Sequence, residues 1–120
     1  MKPHSCLLCL GSNIDRHAHM DAARKALVQN FPNIRFGREM TTEAIGSKFL
    51  SPFSNQIAQL NTSLSAEEVR TILKQIEKEN GRLPEDKGKG IVKLDIDLLM
   101  IDDTILKPED LKKEFVQLGI

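Results

Sequence analysis

Apolar and acidic residues alternate through Leu94-Asp95-Ile96-Asp97-Leu98, and this alternation constrains the fold more than any other part of the chain. Side chains of a strand point alternately to its two faces, so the apolar residues share one face and both aspartates share the other. The aspartates would then lie about 7 Å apart on a face free for ligands. Two carboxylates side by side favour a cation such as Mg²⁺ between them, although a solvated edge strand would show the same pattern.

Length and charge limit the class of the protein. The chain has 120 residues, with 17 basic and 17 acidic side chains. That length suits one domain, and a balanced charge gives no bulk field to attract nucleic acid or an anionic membrane. No apolar run approaches the ~20 residues that span a bilayer, and residues 1–5 carry no signal-peptide pattern. We expect one domain over 1–120, a cytoplasmic location, and no nucleic-acid or membrane partner.

Cys6 and Cys9 have the C-x-x-C spacing of a redox pair or of half a zinc site. The apolar residues around them predict a buried strand, on which residues three apart point to opposite faces. Two thiols on opposite faces cannot readily share a metal or a disulfide. We therefore expect separate buried thiols in a reducing compartment.

Hydrophobic period and turn residues predict the order strand, helix, strand, strand, helix, strand. The strands are predicted at 5–10, 34–40, 53–62 and 93–100, the main helices at 15–30 and 65–80, and a short helix at 107–115. Asp15 is the predicted cap of the first helix, and Ser65 with Glu68 forms a capping box for the second. Loops are expected at 41–52 and 82–92. This order predicts a ferredoxin-like α+β fold, an antiparallel sheet with both main helices on one face.

Four short motifs together resemble one enzyme family. They are Leu10-Gly11-Ser12-Asn13, Phe53-Ser54-Asn55, Ile76-Glu77 with Gly81-Arg82, and Asp95-Ile96-Asp97-Leu98-Leu99. In this order, through residues 5–106, they resemble 6-hydroxymethyl-7,8-dihydropterin pyrophosphokinase of folate biosynthesis. The resemblance implies the ferredoxin-like fold, ATP as co-substrate, two Mg²⁺ ions, and transfer of the pyrophosphoryl group of ATP to the hydroxymethyl group of a reduced pterin.

The resemblance also implies roles for individual residues. Asp95 and Asp97 match the metal-binding aspartates and, with Arg82, form the implied catalytic set. The implied pterin site comprises Thr42, Glu43, Ile45, Phe53, Asn55 and Asp95. The predicted ATP site comprises Arg82 and Leu98, with Lys74 and Lys89 as cations that could replace missing arginines or could belong to a solvated surface. Asn55 would read the polar edge of the ring and Phe53 would stack on it, although Phe53 also suits an ordinary core.

The chain departs from the family on the nucleotide side. Lys89-Gly90-Ile91-Val92 stands where the family has a Trp-Gly-Pro-Arg-like sequence, and Pro84 stands where it has a second arginine. The family's later Pro-His segment has no match, so we expect a domain truncated at the C-terminus relative to the family. Lysines such as Lys74 and Lys89 supply charge without the bidentate geometry of arginine. Two functions stay open: a working pyrophosphokinase, or an impaired paralogue that binds a pterin or another small molecule.

Overall fold

A computed structural model describes residues 3–42 and 52–111, and in this part of the chain six strands form one antiparallel sheet. The strands are β1 (His4–Ser12), β2 (Arg35–Phe36), β3 (Met40–Thr42), β4 (Phe53–Thr62), β5 (Asp95–Ile101) and β6 (Thr104–Ile105). The helices are α1 (Arg16–Asn30), α2 (Ala66–Glu79) and the short α3 (Pro108–Leu111), and a 3₁₀ helix covers Pro84–Lys89. None of the helices in these ranges is both long and apolar enough to cross a membrane.

The centre of the sheet is β1, which pairs antiparallel with β4 on one side and with β5 on the other. The strand order is β2-β4-β1-β5-β6, and β3 also pairs with β4. With α1 and α2 as the crossovers, this is the order of the ferredoxin-like fold, so the predicted fold class is confirmed.

Both main helices bury their apolar sides against one face of the sheet. Met20, Ala23 and Leu27 of α1 are fully buried, as the helical spacing predicts. The corresponding side of α2 and the facing strand residues complete this core: Val69, Leu73, Ile76, Leu8, Leu10, Leu60, Leu94, Ile96 and Leu98. The opposite face carries a smaller apolar cluster of Leu7, Ile57 and Leu99. Cys6 packs into the first cluster and Cys9 against the second, so the two cysteines face apart as predicted.

The two helices begin differently. Ser65 Oγ accepts from the Glu68 amide at 3.2 Å, and Glu68 Oε1 accepts from the Ser65 amide at 3.0 Å, which confirms the capping box of α2. Asp15 precedes α1 as predicted, but its backbone is left-handed, with φ 44°, and its side chain makes no capping hydrogen bond. The predicted capping role of Asp15 is therefore wrong, because its backbone conformation is not the extended one from which a cap side chain reaches the helix.

Two sheet features differ from the sequence expectation. The strand predicted at 34–40 is divided into β2 and β3, because three residues between Phe36 and Met40 oppose only two between Asn55 and Ala58. This is a β-bulge, and it contains Gly37, a residue that often marks one. The hairpin strand β6 was not predicted; it follows a tight turn in which Asp102 adopts φ 51°.

Ser65→Ala should destabilise the domain by about 0.5–2 kcal/mol, because an N-terminal amide of α2 loses its acceptor. Chemical denaturation followed by circular dichroism would measure this loss. Ser63→Ala is the matched control, since Ser63 is exposed two residues earlier. Equal destabilisation by the two substitutions would contradict a specific contribution of the cap.

Candidate active site

A row of three residues crosses the sheet face opposite the main helices. Gly11 on β1 lies between Asn55 on β4 and Asp95 on β5 in the strand register. Since neighbouring strands are about 4.8 Å apart, Asn55 and Asp95 stand roughly 10 Å apart with no side chain between them. A Cβ atom on Gly11 would lie 3.4 Å from Asn55 Oδ1. Gly11 therefore leaves a notch, which we call the glycine notch, bordered by an amide and a carboxylate.

The amide side of the glycine notch is well ordered by hydrogen bonding. Asn55 is 7% exposed, and its Nδ2 donates to Thr42 Oγ1 at 2.7 Å. Phe53 begins β4 two residues before Asn55, so it lies on the same face, and it pairs with Thr42 in the register. The structure thus brings together three members of the predicted pterin site. Glu43 and Ile45, the other two predicted on this side, lie outside the described residues.

The carboxylate side contains two aspartates that interact directly. Asp95 and Asp97 share a side-chain hydrogen bond. Burial, with the hydrogen bond and negative charge of Asp95, raises the pKa of Asp97 to about 7. Burial acts on Asp95 in the same direction, but the hydrogen bonds from Asp97 and Arg82 outweigh it and lower the pKa of Asp95 below its ordinary value. The pair therefore holds a proton near neutrality when no cation separates its charges.

Arg82 and Glu77 position the first aspartate. Arg82 Nη1 donates to Asp95 Oδ1 at 2.8 Å and lies 3.1 Å from Glu77 Oε1. Glu77 is only 2% exposed, and its Oε2 accepts from the Ile96 amide at 2.7 Å. Burial raises the pKa of Glu77, against the opposing effect of that hydrogen bond and of Arg82. The carboxylate of Glu77 thus attaches α2 to β5 beside the aspartates.

Glu77 is a site residue that the sequence reasoning did not assign. A signal for it was present, because Glu77 follows Ile76 and lies four residues after Leu73 on the buried side of α2. A carboxylate at such a position needs a buried partner. Its actual partners come from β5 and from the loop before it, which helical spacing alone does not reveal.

The loop before β5 is fixed at both ends by side chains. Asn13 Nδ2 donates to the Gly90 carbonyl at 2.8 Å, and Asn13 Oδ1 accepts from the Val92 amide at 2.7 Å. Asp86, 6% exposed, accepts from the Leu83 amide at 3.1 Å and lies 3.2 Å from Lys93 Nζ. The Leu-Gly-Ser-Asn turn therefore supplies both the glycine notch and the anchor of this loop.

The predicted ATP residues lie in three places. Lys74 and Leu98 line a cavity of about 160 Å³ between α2 and β5, which Asp97 and Lys107 also border. Arg82 lies at Asp95, as described above. Lys89 is exposed on the 3₁₀ helix and acts electrostatically on Asp86. The structure thus brings Lys74 and Leu98 to Asp97, while Lys89 acts on a different carboxylate.

The aspartate pair suits a hard dication that keeps part of its coordination for other ligands. Among residues 3–42 and 52–111, no group of three or more His, Cys, Asp or Glu side chains is arranged to hold a metal ion. Mg²⁺ typically takes one or two carboxylates and completes its shell with water and substrate phosphates. Asp95 and Asp97 supply two adjacent carboxylates, and Mg²⁺ could take the place of the proton that they share.

Comparison with known proteins shows the family of the chain. The family described as 7,8-dihydro-6-hydroxymethylpterin-pyrophosphokinase matches residues 7–120. The chain belongs to this family. Proteins of two Porphyromonas gingivalis strains, both named 2-amino-4-hydroxy-6-hydroxymethyldihydropteridine pyrophosphokinase, are 34% identical in an alignment of 103 residues that covers 78% of this chain. The match spans 66% of the length of those relatives. The pyrophosphokinase resemblance drawn from the four motifs is therefore confirmed.

Two solved structures show a more distant likeness. The C-terminal domain of the MgtC protein from Mycobacterium tuberculosis has a TM-score of 0.44 and 6% identity, over 81% of this chain and 87% of that domain. A de novo designed protein with a ferredoxin fold, LFR1 1, has a TM-score of 0.34 and 14% identity, over 88% of each chain.

Asp97→Asn should remove a pH dependence of stability in chelator-treated protein. The pKa of Asp97 is about 7 when folded against an ordinary 3.8, so the folded state holds a proton that the unfolded chain releases. The stability from this proton is full below the unfolded pKa and is lost as pH rises through the folded pKa. Asparagine neither titrates nor repels Asp95, so the stability of the variant relative to the wild type should increase between about pH 4 and about pH 7.

Denaturant unfolding at several pH values would measure this difference. Asp103→Asn, in the exposed turn before β6, is the control for removing one carboxylate. Parallel stability curves for wild type and Asp97→Asn would contradict the shared proton.

Proposed function

We propose that this chain catalyses Mg²⁺-dependent transfer of the pyrophosphoryl group of ATP to the hydroxymethyl group of 6-hydroxymethyl-7,8-dihydropterin in folate biosynthesis. The observation that carries this proposal is the row of Asn55, Gly11 and Asp95 across the open sheet face. An amide that can read a heterocycle and a carboxylate that can meet a hydroxyl border the same glycine notch. Family membership and the names of the relatives support the same reaction.

The pterin would lie in the glycine notch. Asn55 offers both a donor and an acceptor, which suits the amide-like edge of a pterin. Its hydrogen bond to Thr42 holds that side chain in one orientation. Phe53 would give the flat apolar contact on the same face, and Glu43 and Ile45 would border the ring through backbone groups.

The aspartates would act at the transferred group. Asp95 would accept the proton of the pterin hydroxyl. Arg82 keeps Asp95 charged and oriented through its 2.8 Å hydrogen bond. The hydroxyl oxygen would bond to the β-phosphorus of ATP as AMP leaves with the electron pair of the broken P–O bond. Bound at Asp95 and Asp97, two Mg²⁺ ions would supply charge neutralisation and alignment of the phosphates.

Lys74 and Leu98 are the proposed ATP contacts best placed for this reaction, because they share the cavity that Asp97 borders. Arg82, which lies beside Asp95, would neutralise part of the negative charge of the phosphates. Lys89 would contribute at longer range, since it is exposed on the 3₁₀ helix, where it acts on Asp86.

A second function is favoured by the same loop. Val92 stands where the family has an arginine, and its amide is held by Asn13 rather than available to a phosphate. Pro84 likewise replaces an arginine. These substitutions favour an impaired paralogue that binds a pterin or another small molecule without transfer.

Calorimetric titration with a hydroxymethylpterin and with a non-hydrolysable ATP analogue, each with and without Mg²⁺, separates the two functions. Binding of both supports the enzyme, and binding of the pterin alone supports the paralogue.

Asn55→Ala should weaken pterin binding by about 1–3 kcal/mol, because polar groups of the bound ring lose their partner. Gln59→Ala is the matched control, on the same strand and face but two positions beyond Ile57. Gly11→Ala should also weaken binding by occupying the glycine notch, while the fold tolerates a contact of 3.4 Å. Unchanged pterin affinity in both site variants, measured by calorimetry, would refute this placement of the pterin.

Asp97→Ala should abolish Mg²⁺-dependent binding of the ATP analogue and leave the thermal melt cooperative, because Asp97 lies on the open face rather than in the core. Asp103→Ala controls for the loss of a negative charge. A titration of Asp97→Ala with Mg²⁺ and the analogue that matches the wild type would show that the metal binds elsewhere.

A further inference from the structure

A buried glutamine connects helix α1 to the β-bulge between β2 and β3. Gln56 on β4 is 7% exposed and lies on the helix side of the sheet, one residue after Asn55 on the open face. Gln56 Nε2 donates to the Gly37 carbonyl at 2.7 Å, and Gln56 Oε1 accepts from Arg24 Nη1 at 3.0 Å. The Gly37 amide donates to the Ile57 carbonyl at 2.7 Å. Both backbone polar groups of Gly37 are therefore held by β4.

Arg24 also holds the end of the bulge. Arg24 Nη1 donates to Glu39 Oε1 at 2.9 Å, and Glu39 immediately precedes β3. On its own helix, Arg24 Nη2 donates to the Asp21 carboxylate. The side chains of Arg24 and Glu39 are 24% and 36% exposed, so their ion pair should add little to the stability of the whole domain. Its position at the bulge favours a different role, which is to fix where β3 begins.

The bulge decides which residue stands opposite Asn55. Phe36 pairs with Ala58, and Met40 pairs with Asn55. If the strand continued from Phe36 without the extra residue, Glu39 would replace Met40 opposite Asn55. Residues paired across a ladder share a face, so a carboxylate would then stand beside the amide that borders the glycine notch. The ion pair with α1 instead keeps this carboxylate on the helix side.

The short strand β3 has little of its own to fix this register. It has three residues, none of them buried, and among the described strands it pairs only with β4. Register is weakly specified in a strand without a buried face. Thr42 at its end nevertheless accepts from Asn55 Nδ2 at 2.7 Å, which holds the amide in one orientation. The contacts of Arg24 and Gln56 supply the restraint that the strand itself lacks.

We propose that Arg24, Gln56 and Glu39 are positioning residues of the pterin site, which act from the helix side of the sheet by fixing the register of β3 against β4. This inference rests on the proposed function, because it concerns the pterin that Asn55 would bind. The three side chains lie on the side away from the glycine notch, so they act through Thr42 and Asn55. Their loss should therefore affect the pterin and spare the nucleotide, whose proposed contacts lie on α2 and β5.

Calorimetry of the full chain tests this with two separate titrations, one with a hydroxymethylpterin and one with a non-hydrolysable ATP analogue and Mg²⁺. Arg24→Gln should weaken pterin binding about three- to tenfold and leave binding of the analogue unchanged, because it removes two hydrogen bonds that fix β3. Arg24→Lys keeps a positive charge beside Glu39 without the fork of arginine, so it should recover part of the loss. Glu39→Gln should weaken pterin binding less in the Arg24→Gln background than in the wild type, since the two residues share one contact.

Lys25→Gln is the matched control, since it removes one positive charge from the exposed position next to Arg24 on α1. Thermal melts show whether each variant is folded, and Arg24→Lys with Glu39→Gln carries the same test if Arg24→Gln does not fold. Equal losses of pterin and analogue binding, or equal pterin affinities of folded Arg24→Gln and Lys25→Gln, would overturn the inference while the proposed function stands. Failure of folded wild type to bind the pterin would instead reject the proposed function, and this inference with it.

Discussion

The carboxylate of Glu77 is the contact on which the arrangement of the site depends. It is buried at the α2–β5 junction, where it accepts hydrogen bonds from the Ile96 amide and from Lys74 and forms an ion pair with Arg82. A buried charge is stable only when its partners are in place, so these contacts fix the position of the helix against the edge of the strand. Arg82 bridges Glu77 and Asp95, which leaves Lys107, at 4.0 Å, as the cation nearest to Asp97 among the ion pairs of the described chain. Burial and the hydrogen bond and charge of Asp95 raise the pKa of Asp97, whereas the hydrogen bonds from Asp97 and Arg82 lower the pKa of Asp95.

The end of β1 serves the site in two ways. Gly11 keeps the sheet surface free between Asn55 and Asp95, and Asn13 holds the loop before β5 through hydrogen bonds to Gly90 and Val92. Both effects require β1 to lie between β4 and β5, which is the order that the ferredoxin-like topology gives. The Leu-Gly-Ser-Asn motif therefore has two physical roles. Gly11 has no side chain and so creates the glycine notch, and the Asn13 side-chain amide binds the loop before β5.

The features that sequence predicted best are those with a local physical cause. Alternation placed Asp95 and Asp97 on the face away from the helices, and the Ser65 and Glu68 pattern located the start of α2. The bulge at Gly37 depends on how many residues of β4 stand opposite, which is a property of two strands rather than one. The Glu77 contacts and the cavity at Asp97 depend in the same way on where α2 meets β5. The capping prediction at Asp15 was wrong because it used residue type without the backbone conformation.

The loop lysines illustrate why charge in a sequence does not locate a phosphate site. Lys93 donates to the Gly81 carbonyl at 2.9 Å and pairs with Asp86, and Lys89 acts on the same aspartate. These cations interact within the loop, so they are poorly placed to bind a phosphate. Lys74 and Lys107 are 62% and 48% exposed and lie at the cavity beside Asp97. Cations with exposed ends can turn toward a ligand at small cost, so Lys74 and Lys107 are better placed than the loop lysines to meet an anion beside Asp97.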